Sequence, residues 1–322
     1  MAAGRLVERV VRLAEAEAER LQQLYREAGR LLRAVEALGL LHYLDEPRGW
    51  GEAAGVDGFF MEVARTPGRR LYAYRVVGVN ASPRGSSGLL TVHEDVVAVE
   101  EAGGEEMEEY VEYAMMRVEA ETAAELSGRY SVVLDGPIVD PPHMPYTEMA
   151  ARSYGGYHAW RSRLLRGRRV AGYVKRVRGR RLADLLGRRG LGDAELAYII
   201  LAKALEEHPE AAAAWLGPLS PGEGEPYSLY EGVESAYLLT PWWRGVRGVE
   251  AWDAGWGVEL VVSTTPRGLQ HPAPVEMAHE EAGRLALGAD ALRRLFLSRI
   301  AMRPGARSLL ALAAPKTGGG EA

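Results

Sequence analysis

The chain has 322 residues, a formal net charge of −5 and 47% hydrophobic residues, enough for one large domain with an extension or for two domains. It has no cysteine, which excludes disulfides, thiolate metal sites and cysteine catalysis and fits a thermophilic source. No apolar run is long enough to span a bilayer, and the charged N-terminus lacks a signal-peptide core, so we expect a cytoplasmic protein with no membrane partner.

A long helix is predicted at the start of the chain, from about Arg5 to Leu41. Apolar residues from Val7 to Val35 recur at alternating four- and three-residue intervals, which is the spacing of a coiled-coil seam. This seam fits packing within the chain and dimerisation equally well. Pro47 ends the pattern, so residues 1–48 are predicted to form an N-terminal helical extension.

Three stretches rich in β-branched and aromatic residues come next, over 56–63, 71–80 and 89–99. Turn signals separate them, so they predict an antiparallel meander, followed by a helix over 105–126 and a fourth strand over 130–134. The first strand carries Asp57-Gly58 and the fourth ends at Asp135-Gly136. Aspartate is disfavoured in strands, so its placement here indicates that the carboxylates are required.

This order of elements is that of the ribonuclease H-like fold, an α/β fold with a mixed sheet flanked by helices. Its first and fourth strands are neighbours, so Asp57 and Asp135 should face each other, as paired ligands of a divalent metal do. The helix between them offers Glu119, Glu121 and Glu125, which cannot all face the sheet. We favour Glu119 as a third ligand and keep Glu121 in reserve, while a solvated helix charge is the alternative for each.

The remaining elements complete a domain predicted over 49–314, with a helical insertion. Helices are predicted over 149–169, 182–186, 193–205, 274–287 and 291–300, and strands over 169–177, 235–240 and 257–263. Residues 315–322 are expected to form a disordered tail.

Basic residues concentrate between Arg161 and Arg181, where few acidic residues could pair with them. Arginine binds phosphate well, so DNA contact is preferred here over a solvated helix face. Lys175 is unusual in a chain whose basic residues are nearly all arginine; it could neutralise phosphate charge or simply begin the basic run. The predicted DNA-binding residues are Arg168, Arg169, Arg176, Arg178, Arg180 and Arg181.

Five motifs in chain order resemble the NurA nucleases of archaea: Val56-Asp57-Gly58, Arg117-Val118-Glu119, Val133-Leu134-Asp135-Gly136, Gly172-Tyr173-Val174-Lys175 and a late segment from Pro272 to His279. The resemblance implies a DNA nuclease dependent on Mn²⁺, or on Mg²⁺. It further implies a homodimer that works with a HerA-type hexameric ATPase in the end resection of double-strand breaks. By position, the implied metal ligands are Asp57, Glu119, Asp135 and His279, and Lys175 joins them as a catalytic residue.

The sequence departs from the family pattern where Phe59 and Pro137 replace serine and where His271 replaces tyrosine. Two other functions fit parts of the sequence. One is a non-catalytic dimeric adaptor of a DNA-translocating ATPase. The other is an actin/hexokinase-type ATPase, which Phe59-Phe60 disfavours because that class needs small residues after the aspartate to cradle phosphates.

Overall fold

The computed structural model describes residues 2–47, 49, 51–82, 87–100, 106–139, 156–224 and 227–303. The predicted tail therefore lies outside the described residues. The strands are β1 (Leu41–Leu44), β2 (Ala53–Thr66), β3 (Arg69–Ala81), β4 (Ser87–Glu100), β5 (Ser131–Asp135), β6 (Val170–Val174), β7 (Ala213–Leu219), β8 (Glu234–Leu239) and β9 (Arg247–Ala251). The helices are α1 (Ala2–Ala37), α2 (Glu106–Leu126), α3 (Tyr157–Leu165), α4 (Arg181–Leu185), α5 (Asp193–Glu207), α6 (Ala254–Ser263), α7 (Ala273–Gly283) and α8 (Leu285–Ala301), with a 3₁₀ turn over Tyr227–Tyr230.

Among the described helices, none combines the length and apolar character needed to cross a membrane. The chain divides into two compact units. The first comprises Met1–Gly49, Gly172–Glu223 and Gly232–Gln270; the second comprises Trp50–Ala171, Gly224–Glu231 and His271–Ala322. The division falls inside β6.

In the second unit, β2, β3 and β4 form the predicted antiparallel meander. The fourth predicted strand, β5, pairs with β2 in parallel, with Val56 opposite Leu134. The strand order β5-β2-β3-β4 confirms the mixed sheet and the adjacency on which the paired-carboxylate prediction depended. Each strand of the meander extends beyond its predicted ends.

Helices cover both faces of this sheet, and alternate residues of β2 point to opposite faces. Helix α2 packs on the face that carries Gly58 and Gly78, where its side chains leave no room for a Cβ atom. Helix α7 packs on the other face, where Ala278 and Ala282 contact Val77 and Val79. Helices α2 and α7 therefore approach β2 from opposite faces of the sheet.

Helix α8 closes the same unit farther along the meander. Its Leu285, Leu292 and Phe296 pack against Val63 and Ala73 on β2 and β3. This apolar cluster explains why the long meander strands are stable well beyond the part covered by α7.

The first unit contains the strand order β1-β7-β8-β9-β6, joined by antiparallel pairs. The later part of α1 packs on α5, with Ala28, Leu32 and Val35 almost fully buried. Arg188 forms an ion pair of 2.7 Å with Glu27. The earlier part differs, since every side chain from residue 5 to residue 23 is exposed.

The predicted strand over 257–263 is wrong, because this segment belongs to helix α6. Asp253 caps the helix by accepting a hydrogen bond of 2.9 Å from the Trp256 amide. Residues 257–263 form a short apolar run, and periodicity cannot distinguish a buried helix from a buried strand in such a run. The sequence analysis also missed strands β1, β7 and β9. Within the segment 149–169 that was predicted to be helical, the described residues form helix α3, Tyr157–Leu165.

Candidate metal centre

Asp57 and Asp135 are brought together by the parallel pairing of β2 and β5. Val56 on β2 lies opposite Leu134 on β5. Asp57 directly follows Val56, and Asp135 directly follows Leu134, so the two aspartates stand at matching positions of neighbouring strands. Asp57, Asp135 and His279 each offer a ligand atom, and these atoms lie within 4.8 Å of one another. Residues far apart in the sequence thus form one compact cluster, all of it within the second unit.

His279 reaches this cluster from helix α7. Its Nδ1 atom lies 2.7 Å from Oδ2 of Asp57, whose Oδ1 accepts a hydrogen bond of 2.8 Å from the Gly58 amide. The His279 side chain is 58% exposed, whereas that of Asp57 is 9% exposed. The Asp57 carboxylate is therefore buried and held by hydrogen bonds, and the His279 imidazole lies at the solvent-exposed side of the cluster.

Gly55 makes this approach of α7 possible. A Cβ atom at Gly55 would lie 2.6 Å from the Val275 nitrogen and closer still to the Pro274 carbonyl, both in the first turn of α7. Because these are backbone atoms, they cannot move aside without shifting the helix. Sequence reasoning missed this role, although a glycine inside a strand is a known signal of close backbone approach.

Glu119 comes to β2 from α2 on the opposite face. A Cβ atom at Gly58 would collide with Oε1 of Glu119 and lie 2.8 Å from Met115 Cγ, so this glycine admits the carboxylate beside the residue that follows Asp57. Glu119 is 6% exposed. By contrast, Glu121 is 48% exposed and forms a 3.1 Å ion pair with Arg117. Of the two candidates, Glu119 is the one that faces the sheet.

The donor set fits a divalent ion. Carboxylate oxygens are the hard ligands that Mg²⁺ and Mn²⁺ prefer, and one imidazole nitrogen moves the preference toward Mn²⁺. Asp57, Asp135 and His279 would hold the ion directly. Glu119 lies outside this group of three, with its carboxylate next to Gly58.

The predicted basic residues divide into several groups. Lys175 lies in the first unit, where its carbonyl accepts a hydrogen bond from Arg247. Arg176, Arg178 and Arg180 are exposed in that unit, and Arg181 is half-buried and donates to the Ser220 carbonyl.

Arg168 and Arg169, which lie in the second unit, have protein partners. Arg168 donates to the carbonyls of Leu164 and Ala124, and Arg169 donates to Ser131 Oγ at 2.6 Å. Arg161 is 1% exposed, so its inclusion in a DNA-facing basic run was wrong.

The mixed sheet, its flanking helices and the carboxylate pair on adjacent parallel strands define an α/β protein of ribonuclease H-like fold. The NurA domain family matches residues 51–236, more than half of the chain. The chain therefore belongs to the NurA family of nucleases.

The chain is also similar to several solved structures. The crystal structure of a NurA with manganese is 11% identical, with a TM-score of 0.55 over 86% of this chain and 93% of that one. Endonuclease V of Ciona intestinalis, in complex with DNA, is 12% identical, with a TM-score of 0.36 over 85% of this chain and 98% of that one. The human endonuclease V catalytic domain is 14% identical, with a TM-score of 0.31 over 84% and 98% of the two chains. A comparison with curated proteins found no match.

Proposed function

We propose that this protein is a manganese-dependent deoxyribonuclease. The observation that supports it best is the convergence of Asp57, Asp135 and His279 within 4.8 Å in a chain of the NurA family. These residues and Glu119 would hold the ion. When bound, a divalent ion polarises the scissile phosphate and lowers the pKa of water.

The chain's own groups would prepare this site before the ion and the DNA arrive. Asp57 holds the imidazole of His279 through the 2.7 Å hydrogen bond, which fixes the ring orientation. Because the His279 side chain stays 58% exposed, it remains open to a bound phosphate. Lys175, in the first unit, is proposed as a further catalytic residue whose ammonium neutralises phosphate charge.

DNA would be held by arginine. Arg176, Arg178 and Arg180 are all exposed. Backbone carbonyls accept hydrogen bonds from Arg168 and, at 3.4 Å, from Arg180, so Arg176 and Arg178 are the stronger candidates for phosphate contact and Arg180 is a weaker one. Arg168, Arg169 and Arg181 complete the proposed set.

A homodimer is proposed because the first turns of α1 expose a continuous apolar stripe. Leu6, Val7, Val10 and Leu13 are each at least 58% exposed, and a solvated helix gains little from such residues unless a second surface covers them. Sedimentation of the V7E/V11E variant should give a monomer where the wild type gives a dimer; a wild-type monomer would contradict the proposal.

The cellular role proposed is end resection of double-strand breaks beside a HerA-type hexameric ATPase. This partnership rests on membership of the family alone. Co-sedimentation of the protein with such an ATPase should show a stable complex, and its absence would remove this part of the proposal.

The nuclease activity itself is tested on linear DNA. The wild type should release nucleotides when Mn²⁺ is added and stop when EDTA is added, whereas D135N should be inactive with unchanged folding. Equal background activity of the wild type and D135N would instead favour the non-catalytic adaptor.

A further inference from the structure

Arg161 on α3 is a buried cation with no place in the proposed chemistry. The residue is 1% exposed, and a buried charge is costly unless hydrogen bonds satisfy it. Its guanidinium is held at 3.0 Å from the Ile138 carbonyl, at 2.8 Å from the Pro137 carbonyl and at 2.9 Å from the Tyr157 hydroxyl.

Two of these acceptors belong to the segment by which the chain leaves the metal centre. Pro137 and Ile138 follow Asp135 directly after Gly136, whose φ of +131° lies in a region that favours glycine. The backbone at Gly136 can therefore adopt more conformations than that of other residues, and the Pro137 and Ile138 carbonyls that follow it are held by Arg161. The guanidinium thus limits how far the end of β5, with the Asp135 carboxylate, can move.

The other side of the same guanidinium faces α2. It lies 3.5 Å from the Met116 carbonyl, one turn before Glu119. Tyr157, which accepts a hydrogen bond from Arg161, packs edge-on against Tyr113 of α2 with ring centroids 5.0 Å apart. One side chain thus contacts two of the four elements that carry candidate ligands. It reaches β5 through the exit segment and α2 through the Met116 carbonyl, and Tyr157 links it to Tyr113.

We propose that Arg161 is a positioning residue that sets the geometry of Asp135 relative to Glu119. The inference rests on the proposed function only in taking these two carboxylates as metal ligands. Arginine is required because its planar fork of donors satisfies acceptors on different elements, whereas the lysine ammonium is a single point.

The test compares R161K with L165A. Leu165 is fully buried on the same helix, so its truncation destabilises the fold without removing a hydrogen bond to the Asp135 segment. Titration calorimetry with Mn²⁺ alone should show a loss of affinity of about 10-fold to 100-fold in R161K, the usual range for groups that orient ligands. L165A should bind Mn²⁺ like the wild type at a temperature where both variants are folded.

Hydrogen exchange without metal gives a second readout. Amides of Val139 and of β5 should exchange faster in R161K than in L165A once each is corrected for its melting temperature. Y157F, which keeps the ring but removes one acceptor, should lie between the wild type and R161K in both measurements.

The inference is overturned if R161K matches L165A in Mn²⁺ affinity and in exchange. It also falls if the wild type binds no Mn²⁺, a result that would remove the proposed function as well. Wild-type binding without DNA cleavage would overturn the proposed function, and a loss of Mn²⁺ affinity in R161K but not in L165A would then still support the positioning role.

Discussion

The Nδ1 atom of His279 lies 2.7 Å from Oδ2 of Asp57, although 222 residues separate them in the sequence. The contact depends on α7 resting directly on β2, which the absence of a side chain at Gly55 permits. Asp57 stands two residues beyond Gly55 on the same face of the strand. The distance between helix and strand therefore controls whether the histidine belongs to the metal centre.

The first prediction concerns this close approach. In G55A the new methyl group would meet the Pro274 and Val275 backbone, so α7 must shift and carry His279 away from Asp57. We expect a loss of stability of about 1–3 kcal/mol, typical of overpacking, together with weaker Mn²⁺ binding. Chemical denaturation and calorimetry measure the two effects.

Gly283, in the last turn of the same helix, provides the matched control. A Cβ atom there would meet no atom within 4 Å, so G283A should bind Mn²⁺ like the wild type. Unchanged Mn²⁺ binding in G55A would show that the position of α7 does not govern the site.

The second prediction separates Glu119 from Glu121. E119Q keeps the shape of a buried side chain but removes its charge, so we expect its cleavage rate in Mn²⁺ to fall at least about 10-fold. E121Q loses an exposed ion pair with Arg117, which contributes about 0.3–0.5 kcal/mol, and should cleave like the wild type. The reverse ranking of initial rates would transfer the ligand role to Glu121.

The third prediction concerns DNA contact. R176A and R178A remove exposed guanidinium groups, and each should reduce the slope of log Kd against log salt by about 1. R168A should also destabilise the fold, because Arg168 donates to the Ala124 and Leu164 carbonyls. Fluorescence anisotropy over a salt series distinguishes these results, and unchanged slopes in R176A and R178A would place the DNA elsewhere.

The fourth prediction concerns alkaline stability in the first unit. Burial, with the 2.6 Å hydrogen bond to Asp193 as the second cause, raises the pKa of Tyr237 above its ordinary value of 10.0. The unfolded chain releases this proton from about pH 10 while the folded chain retains it, so this contribution to the free energy of unfolding falls as the pH rises above that value.

Y237F removes the titratable hydroxyl and with it the hydrogen bond to Asp193. It should be about 1–3 kcal/mol less stable than the wild type near neutral pH. In urea denaturation that difference should shrink above about pH 10, since only the wild type has the Tyr237 proton to lose. A difference that stays constant with pH would contradict the assigned shift.

Much of the second unit could be predicted from the sequence because its signals are local. The meander has strong strand composition between clear turns, and the helix before β5 is long enough to be unambiguous. Once that order was recognised, the adjacency of Asp57 and Asp135 followed from topology. The sequence favoured Glu119 over Glu121 without excluding either, and it could not show that Glu119 packs against Gly58 while Glu121 is exposed.

The errors arise where long-range packing decides the local structure. The apolar segment at Val258 fits a strand or a helix, and the cap at Asp253 settles it as a helix. Arg161 looked like part of a basic surface because charge along the sequence does not reveal burial. Its acceptors are mainly backbone carbonyls, which carry no signal in the residue type.

The most direct measurement of the central claim is the anomalous scattering of Mn²⁺ in crystals of the wild-type protein. We predict a peak within ligand distance of Asp57 and Asp135, close to His279, and its loss in D135N crystals treated in the same way. A manganese peak bound elsewhere in the chain, with none beside this pair of aspartates, would contradict it.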